Sequence, residues 1–521
     1  MVYPIQGFSG VFVNHLPLSV LYASAGIVAA GVDVEVLDNR LHPEEWRQEL
    51  RRRLSKETLI VGVSVMSGSP IRNAIAVSRF VKSIDPGIRV VWGGPHATFV
   101  PDSILEESSV DYVISGYASN AFQQLVEVLL AKGDLSKVPG LSWRSQGTVV
   151  RQPEVKTFER LTHHEIPYHL IRDFSPYGQL ERKQVVISMY SVHGCPYQCT
   201  FCSSPAQYRD IPGKAWVPIE VQEVVDHIQY VVDKFGAEFI YFIDDDSFPK
   251  LSHVEGIIDE INRRGLHVKL GFRGARINEV KRMSHAYLSK LAAAGTNIMH
   301  IGAESGSTRI LELIKKDCTV EDILECNRKL AQHPEITVGY NFMMGLPSET
   351  MDEVHATRDL MMRLVDDNPR ALIFAPNKFR PLPGTELFDE AVRDWGYQPP
   401  RSLEDWANIE VEGDYAAPWY PPGMEQFCKL MLVSSYFIDG KIVKMSEGRT
   451  PFYRALRAFS SAYAPVARWR LRNGYDRFLV EYPAYRWAQE ALQDLNAGST
   501  PAWRALRRWL QPAPAQGAEN C

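Results

Sequence analysis

The run Val185-Val-Ile-Ser-Met-Tyr190, followed closely by His193-Gly-Cys-Pro-Tyr-Gln-Cys-Thr-Phe-Cys202, decides the fold of this chain. The first part is a strand-like apolar run. The second places Cys195, Cys199 and Cys202 on one short loop with the spacing C-x3-C-x2-C. Three thiolates so placed can hold three irons of a [4Fe–4S] cube, which four cysteines normally hold. The fourth iron is then open to another ligand, which points to chemistry rather than electron storage. The competing assignment is a structural zinc site of the three cysteines with His193. Zinc loops usually pair two knuckles, and the chain has no second one. Cys318, Cys326, Cys428 and Cys521 are scattered and read as ordinary buried or terminal thiols.

Downstream of Val185, strand and helix patterns alternate six times. The expected strands are 185–190, 239–243, 268–272, 298–303, 337–344 and 372–379, with helices such as 221–234 and 354–365 between them. Six such units predict a partial TIM-like barrel over residues 185–395. Its active residues should sit at the strand C-termini, and Cys195 follows the first strand.

Upstream, residues 1–140 also alternate. Strands are expected at 32–37, 59–65, 88–92 and 110–114, and helices at 18–30, 43–54, 71–84, 101–107 and 121–131. This is a doubly wound, Rossmann- or flavodoxin-like α/β pattern with a parallel sheet, whose ligands sit at the carboxyl ends of the strands. The turns there read Ser67-Gly-Ser-Pro70, Gly93-Gly-Pro-His96 and Ser115-Gly-Tyr117. Residues 141–184 read as a connector containing a hairpin around Gly147. Residues 396–521 lack the alternation and read as mainly helical, with helices around 451–459 and 485–495. Arg454, Arg457, Arg468, Arg470 and Arg472 there mark either a solvated face with arginine stems on aromatics or a substrate lid. The Pro-rich tail from Gln511 reads as disordered.

Composition sets bounds. A net charge of −5 carries no nucleic-acid signature. No apolar run is long enough to span a membrane, and no secretory signal precedes the first strand. Unpaired cysteines fit the reducing cytoplasm.

In sum, the chain resembles the cobalamin-binding radical S-adenosylmethionine (SAM) superfamily, in which a corrinoid domain precedes a radical SAM barrel. The resemblance covers residues 1 to about 395. It is carried by the cysteine loop together with Val91-Trp-Gly-Gly-Pro-His-Ala-Thr98, Val110-Asp-Tyr-Val-Ile-Ser-Gly116, Phe242-Ile-Asp-Asp-Asp-Ser-Phe248, Ile301-Gly-Ala-Glu-Ser-Gly306, Phe342-Met-Met-Gly-Leu-Pro-Ser-Glu-Thr350 and Arg380-Pro-Leu-Pro-Gly-Thr385.

The resemblance implies roles. Cys195, Cys199 and Cys202 hold the cluster, whose open iron chelates SAM. Glu304 accepts hydrogen bonds from the ribose hydroxyls or the cation end of SAM; otherwise it pairs with Arg273 or Arg276. The turn of Asp244, Asp245 and Asp246 lies near the SAM ammonium. Because side chains alternate, one of the three acids is expected inside and two outside. Asp245 and Arg273 are taken as cofactor-facing, Gly345 as the close approach of adenosine, and Phe201 as packing on adenine or shielding the cluster. Ser67, Gly93, Gly94, His96 and Gly116 are taken as the cobalamin face.

The chain departs from the family at three points. It lacks the Asp-x-His-x-x-Gly motif of other corrinoid proteins, so base-off cobalamin without a histidine ligand is expected. The Gly-Glu-Gly-Glu turn of the family reads Ser115-Gly-Tyr-Ala118. Finally, Met1-Val-Tyr-Pro4 looks like the end of a first strand, so the sheet is expected either to lack an inner strand or to have its true start upstream.

The expected activity is cobalamin-dependent radical SAM methyl transfer. As the resemblance implies, one SAM methylates the corrinoid and a second yields the 5′-deoxyadenosyl radical. Methylcobalamin then methylates an unactivated carbon or a phosphorus. Alternatives are a non-methylating corrinoid radical SAM cyclase or ring-rearranging enzyme, and a zinc-stabilised binding protein. Expected partners are a small-molecule or natural-product substrate and an external electron donor of the flavodoxin or ferredoxin type.

Overall fold

The computed structural model describes residues 1–5, 15–158, 160–177, 184–208, 210–409, 416–445 and 451–486. Its first sheet contains β1 (Val2–Tyr3), β2 (Leu37–Asp38), β3 (Ile60–Ser64), β4 (Arg89–Gly93), β5 (Tyr112–Ile114), β6 (Leu141–Ser145) and β7 (Thr148–Arg151), in the order β2-β1-β3-β4-β5-β6-β7. The first five strands are parallel, and the last two form an antiparallel hairpin on the edge.

Three expectations change here. The inner strand exists. Val2 lies in register between Leu37 and Val63, so β1 occupies the centre that a flavodoxin-like order requires. The hairpin 141–151 is not part of a connector. Its register of Ile114 on Leu141 joins it to the sheet. The stretch 32–36, read as strand, lies outside the sheet, and only Leu37 and Asp38 pair.

The β-branched centres of β3 and β4 are buried on both faces, as a parallel sheet covered by helices requires. One face packs Trp46, Ile71, Ile75, Val81 and Trp92 together with Leu403 and Trp406 of the C-terminal part. The other packs Phe122, Leu125 and Val126.

The second sheet is wholly parallel and consecutive: β8 (Val186–Met189), β11 (Phe239–Phe242), β12 (Lys269–Arg276), β13 (Thr296–Glu304), β14 (Thr337–Met344) and β15 (Ala371–Ile373). A short strand, β16 (Asn377–Lys378), pairs farther along β14. The expected strand 372–379 is thus two pieces on one neighbour. Between β8 and β11, β9 (Val192–Gly194) and β10 (Trp216–Pro218) form a small antiparallel pair.

Alternation along these strands sorts the side chains. Ile240, Phe242, Leu270 and Phe272 face the helices and join the main core, while Phe239 and Tyr241 face the lumen with Val186.

In the C-terminal part, the helix Met424–Ser435 buries Met424, Phe427, Cys428 and Met431 in the barrel's core. The long helix Pro451–Arg472 is tied to the helix Met351–Asp367 by Arg468 and Arg472 on Asp366. Most of the expected helix 485–495, and the tail from Gln511, lie outside the described residues. Among the described residues no helix is long and apolar enough to cross a membrane.

Candidate active site

The cysteine loop is anchored before it begins. Asp244, buried after β11, accepts from the backbone N–H groups of Ser191 (2.7 Å) and Val192 (3.2 Å) and from the hydroxyls of Ser191 (2.6 Å) and Ser247 (2.8 Å). Burial pushes its carboxyl up to about 6 against these four donors. Gly194 then has φ +81°, and a Cβ there would lie 2.1 Å from the carbonyl oxygen of Ala215 across the β9–β10 pair. Only glycine permits this approach, and it aims Cys195 out of the strand.

Beyond Cys195, the loop is pinned to other elements. The Thr200 N–H donates to Ile314 O (3.3 Å), the Leu387 N–H donates to Thr200 O (3.0 Å), and the Cys202 N–H donates to Cys199 O (3.1 Å). Cys199 is buried, and Cys195 and Cys202 are half-buried. Burial holds the thiols of Cys195 and Cys202 above their ordinary range, with Asp246 adding to it at Cys195. Binding iron there would expel protons.

The loop suits a cluster better than one zinc ion. A mononuclear zinc site would need a fourth ligand from His193 beside the three thiols. The ring of His193 packs between Tyr190 and Phe158. In a cube, by contrast, each thiolate takes a different iron.

Charged groups back the loop. Arg276, at the end of β12, is buried. Its Nη1 lies 2.9 Å from Cys199 Sγ, its Nη2 donates to Lys316 O (2.8 Å), and its guanidinium stacks 3.9 Å above the Tyr197 ring. The Tyr197 hydroxyl donates to Glu279 (2.9 Å), which also accepts from the Arg276 N–H (3.0 Å). Burial holds Asp246 and Glu279 above the usual carboxylate range, and the Glu279 charge adds to it at Asp246. They share a hydrogen bond, which two carboxylates can form only with a proton between them.

The parity of the acidic turn is the reverse of the expectation. Asp244 and Asp246 are buried, while Asp245 is exposed into the space between the two sheets, where it accepts from the Tyr208 hydroxyl (2.7 Å). Alternation holds, but the middle residue is the exposed one, so two acids are buried.

Glu304 ends β13 in the left-handed region, φ +64°. A non-glycine residue there is uncommon and marks strain held by its surroundings. Its carboxylate pairs with neither Arg273 nor Arg276. It accepts from Lys316 Nζ at 2.8 Å, with both side chains buried.

A Cβ at Gly345 would lie 2.4 Å from the Tyr420 hydroxyl, and Trp419 Nε1 donates to the Gly345 carbonyl (2.9 Å). The 419–420 segment thus lies against Gly345. Phe201 packs partly buried against the main core.

The C-terminal ends of the two sheets face each other across a cavity of about 320 Å³. The first domain lines it with the backbone of Gly93, Gly94 and Gly116. The barrel contributes Tyr190, Asp245 and Arg273, and Tyr22 and Tyr208 close the sides. Glycine backbone at strand ends, opposed by aromatic rings, fits the broad face of a corrin.

Ser67 and His96 do not line this cavity. They bond each other (Oγ to Nδ1, 2.9 Å), and the buried His96 ring packs on Trp406. Burial lowers His96 to about 4. The reason is topological: the loop after β4 turns His96 back under the sheet.

Sequence reasoning missed the lumen. His15 reaches in from the first domain, bonding Ser188 (2.9 Å) and stacking on Tyr241 (5.1 Å). His300 of β13 stacks on Phe374 (4.7 Å). Burial and then the Arg273 charge lower the His300 imidazole to about 4, so it is neutral. Arg273 is exposed into this space. Tyr190 and His300 had a signal, inward parity near barrel strand ends; His15 had none.

Comparison with known proteins agrees with this geometry. The Radical SAM superfamily profile matches residues 189–361, and the B12 binding domain profile matches residues 11–126. An uncharacterized methyltransferase of Pyrococcus horikoshii is 27% identical over 379 residues, covering 72% of this chain and 78% of that protein. The anaerobic magnesium-protoporphyrin IX monomethyl ester cyclase of Rubrivivax gelatinosus is 24% identical over 389 residues, 72% and 66% of the two chains. The fold resembles that of the radical S-adenosylmethionine methyltransferase TsrM from Kitasatospora setae, solved with cobalamin and a [4Fe–4S] cluster, with a TM-score of 0.64 at 18% identity over 90% and 98% of the two chains. A radical SAM domain implies a [4Fe–4S] cluster and SAM, and a B12 domain implies cobalamin. The chain carries a radical SAM domain with a B12-binding domain ahead of it.

Proposed function

We propose that this enzyme transfers a methyl group to an unactivated carbon or phosphorus of a small-molecule substrate. The carrying observation is the cavity between the two sets of strand ends, with glycine backbone on one wall and the barrel mouth, just before the cysteine loop, on the other. When bound, the cluster supplies electrons, SAM the methyl group and the hydrogen-abstracting radical, and cobalamin the methyl carrier.

The chain's residues bind, orient and exclude. In this reading Cys195, Cys199 and Cys202 hold the cluster, and Gly93, Gly94 and Gly116 let the corrin lie close to backbone. Arg273 and Asp245 present opposite charges at the barrel mouth, suited to the polar end of SAM or of a substrate. Glu304, strained and ion-paired beside the loop, is a positioning residue. The ring wall of Tyr22, Tyr190 and Tyr208 sheds water from the cavity, where a radical must be protected. Residues 1–151 act as the cobalamin unit and 185–395 as the barrel. Residues 141–151 belong to the first by their hydrogen bonds. An external one-electron donor of the flavodoxin or ferredoxin type completes the system. The unpaired, buried Cys318, Cys326 and Cys428 support a reducing, cytoplasmic setting.

The similarity to a cyclase favours a second reading, oxidative cyclisation without methyl transfer. Anaerobic turnover separates the two. Methyl transfer yields S-adenosylhomocysteine together with 5′-deoxyadenosine. 5′-Deoxyadenosine with little S-adenosylhomocysteine would overturn the first reading in favour of the second.

A further inference from the structure

We propose that Arg276 sets the reduction potential of the cluster by donating a charge-assisted hydrogen bond to the Cys199 thiolate. The inference rests on the reading of Cys195, Cys199 and Cys202 as cluster ligands.

The three thiols are not equivalent. Cys199 is the buried one, and the guanidinium Nη1 of Arg276 lies 2.9 Å from its sulfur. Cys195 instead has Asp246 as its charged neighbour, and Ser204 bonds Cys202. The guanidinium has little freedom to leave. Its Nη2 is held by Lys316 O (2.8 Å), its plane lies 3.9 Å over the Tyr197 ring, and that ring is tethered through its hydroxyl to Glu279 (2.9 Å). Tyr197 lies between Cys195 and Cys199 in the loop, so the arginine is fixed by the loop it serves.

The physical consequence follows from charge. Reduction adds one electron, taken from an external one-electron donor, to a centre whose sulfurs already carry negative charge. No bond is made or broken. A buried cation with an N–H aimed at a ligand sulfur stabilises the more negative, reduced state more than the oxidised one, and hydrogen bonds to cluster sulfurs are an established lever on potential. The low dielectric at this buried position strengthens the effect. Arg276 thus makes the cluster easier to reduce.

The test is an EPR-monitored redox titration of the reconstituted full-length protein and of Arg276→Gln and Arg276→Met, with iron and sulfide measured in each. Glutamine keeps a neutral donor, and methionine keeps neither donor nor charge. With full iron content, both midpoints should move to more negative potential, methionine at least as far as glutamine. The expected change is about tenfold in the reduction equilibrium, which is about 59 mV for one electron. An unchanged midpoint in a loaded variant overturns the proposal. Failure of both variants to hold a cluster overturns it too, since Arg276 would then serve the loop's structure alone. If the parent protein itself holds no cluster, the reading of the cysteines falls instead.

Discussion

Lys316 Nζ and the Glu304 carboxylate lie 2.8 Å apart with both side chains buried, and Glu304 holds a left-handed backbone to reach that contact. The pair neutralises two charges beside the cysteine loop. It also explains why a carboxylate at a strand end can persist where water does not reach.

Breaking this pair from one side leaves an uncompensated charge indoors. Lys316→Met should lower unfolding free energy by about 3–5 kcal/mol, the usual cost of removing one member of a buried pair. Adding Glu304→Gln to it should recover part of that loss. Urea unfolding of the three variants under anaerobic conditions checks it, and strict additivity would contradict a direct pair. Glu304→Gln alone should also weaken SAM binding while iron content stays intact.

Alanine at Cys195, Cys199 or Cys202 should abolish 5′-deoxyadenosine formation from SAM and dithionite. Each variant should also lose the visible absorption of the cluster. Turnover surviving in any one of them would contradict the assignment.

Gly194→Ala should damage cluster loading without touching a ligand. The left-handed backbone alone costs about 1–3 kcal/mol for a residue with a Cβ. The 2.1 Å approach to Ala215 O adds a clash that only a shift of the β9–β10 pair relieves. Iron per chain, measured beside thermal unfolding, should fall well below the parent's, whereas Gly133→Ala, whose backbone is not left-handed and whose Cβ would meet nothing closer than 3.7 Å, should load normally.

Glu349 should impose a pH dependence on stability. Its carboxylate accepts from the N–H groups of Gly345 (2.5 Å) and Leu346 (3.1 Å), yet burial raises it from 4.5 to about 7. The folded protein therefore holds a proton that the unfolded chain has released. Across that window the unfolded state binds fewer protons, so stability falls as pH rises. Relative to Glu349→Gln, the parent should lose stability between about pH 4.5 and 7 and run level above it. Asp244 shifts in the same direction, to about 6, but is common to both proteins and cancels in the difference. A flat difference in denaturant midpoint across that range would refute the assignment.

How far the sequence reaches is clearest at particular residues. The strands 59–65, 88–92 and 337–344 were legible because parallel strands buried on both faces read as unbroken apolar runs. β1 was hard to interpret because two residues carry no pattern, and only its neighbours on either side identify it as central. The cysteine loop was legible because its chemistry depends on local spacing. His96 was not, since whether it faces the cavity depends on how the loop after β4 turns. What approaches Gly345 was equally illegible. The side chain that comes close to it is Tyr420, 75 residues away in sequence.

Sequence alone determined the order of two parallel α/β units and the three-cysteine loop that opens the second. Period and spacing are local properties, and short-range sterics and ligand geometry read them directly. Tertiary structure alone decided which charges face the thiols: Arg276 against Cys199, Lys316 against Glu304, and Asp244 and Asp246 buried with Asp245 exposed. Those partners are brought together by strand register and packing between distant segments, and a buried charge takes whichever counter-charge the fold delivers to it.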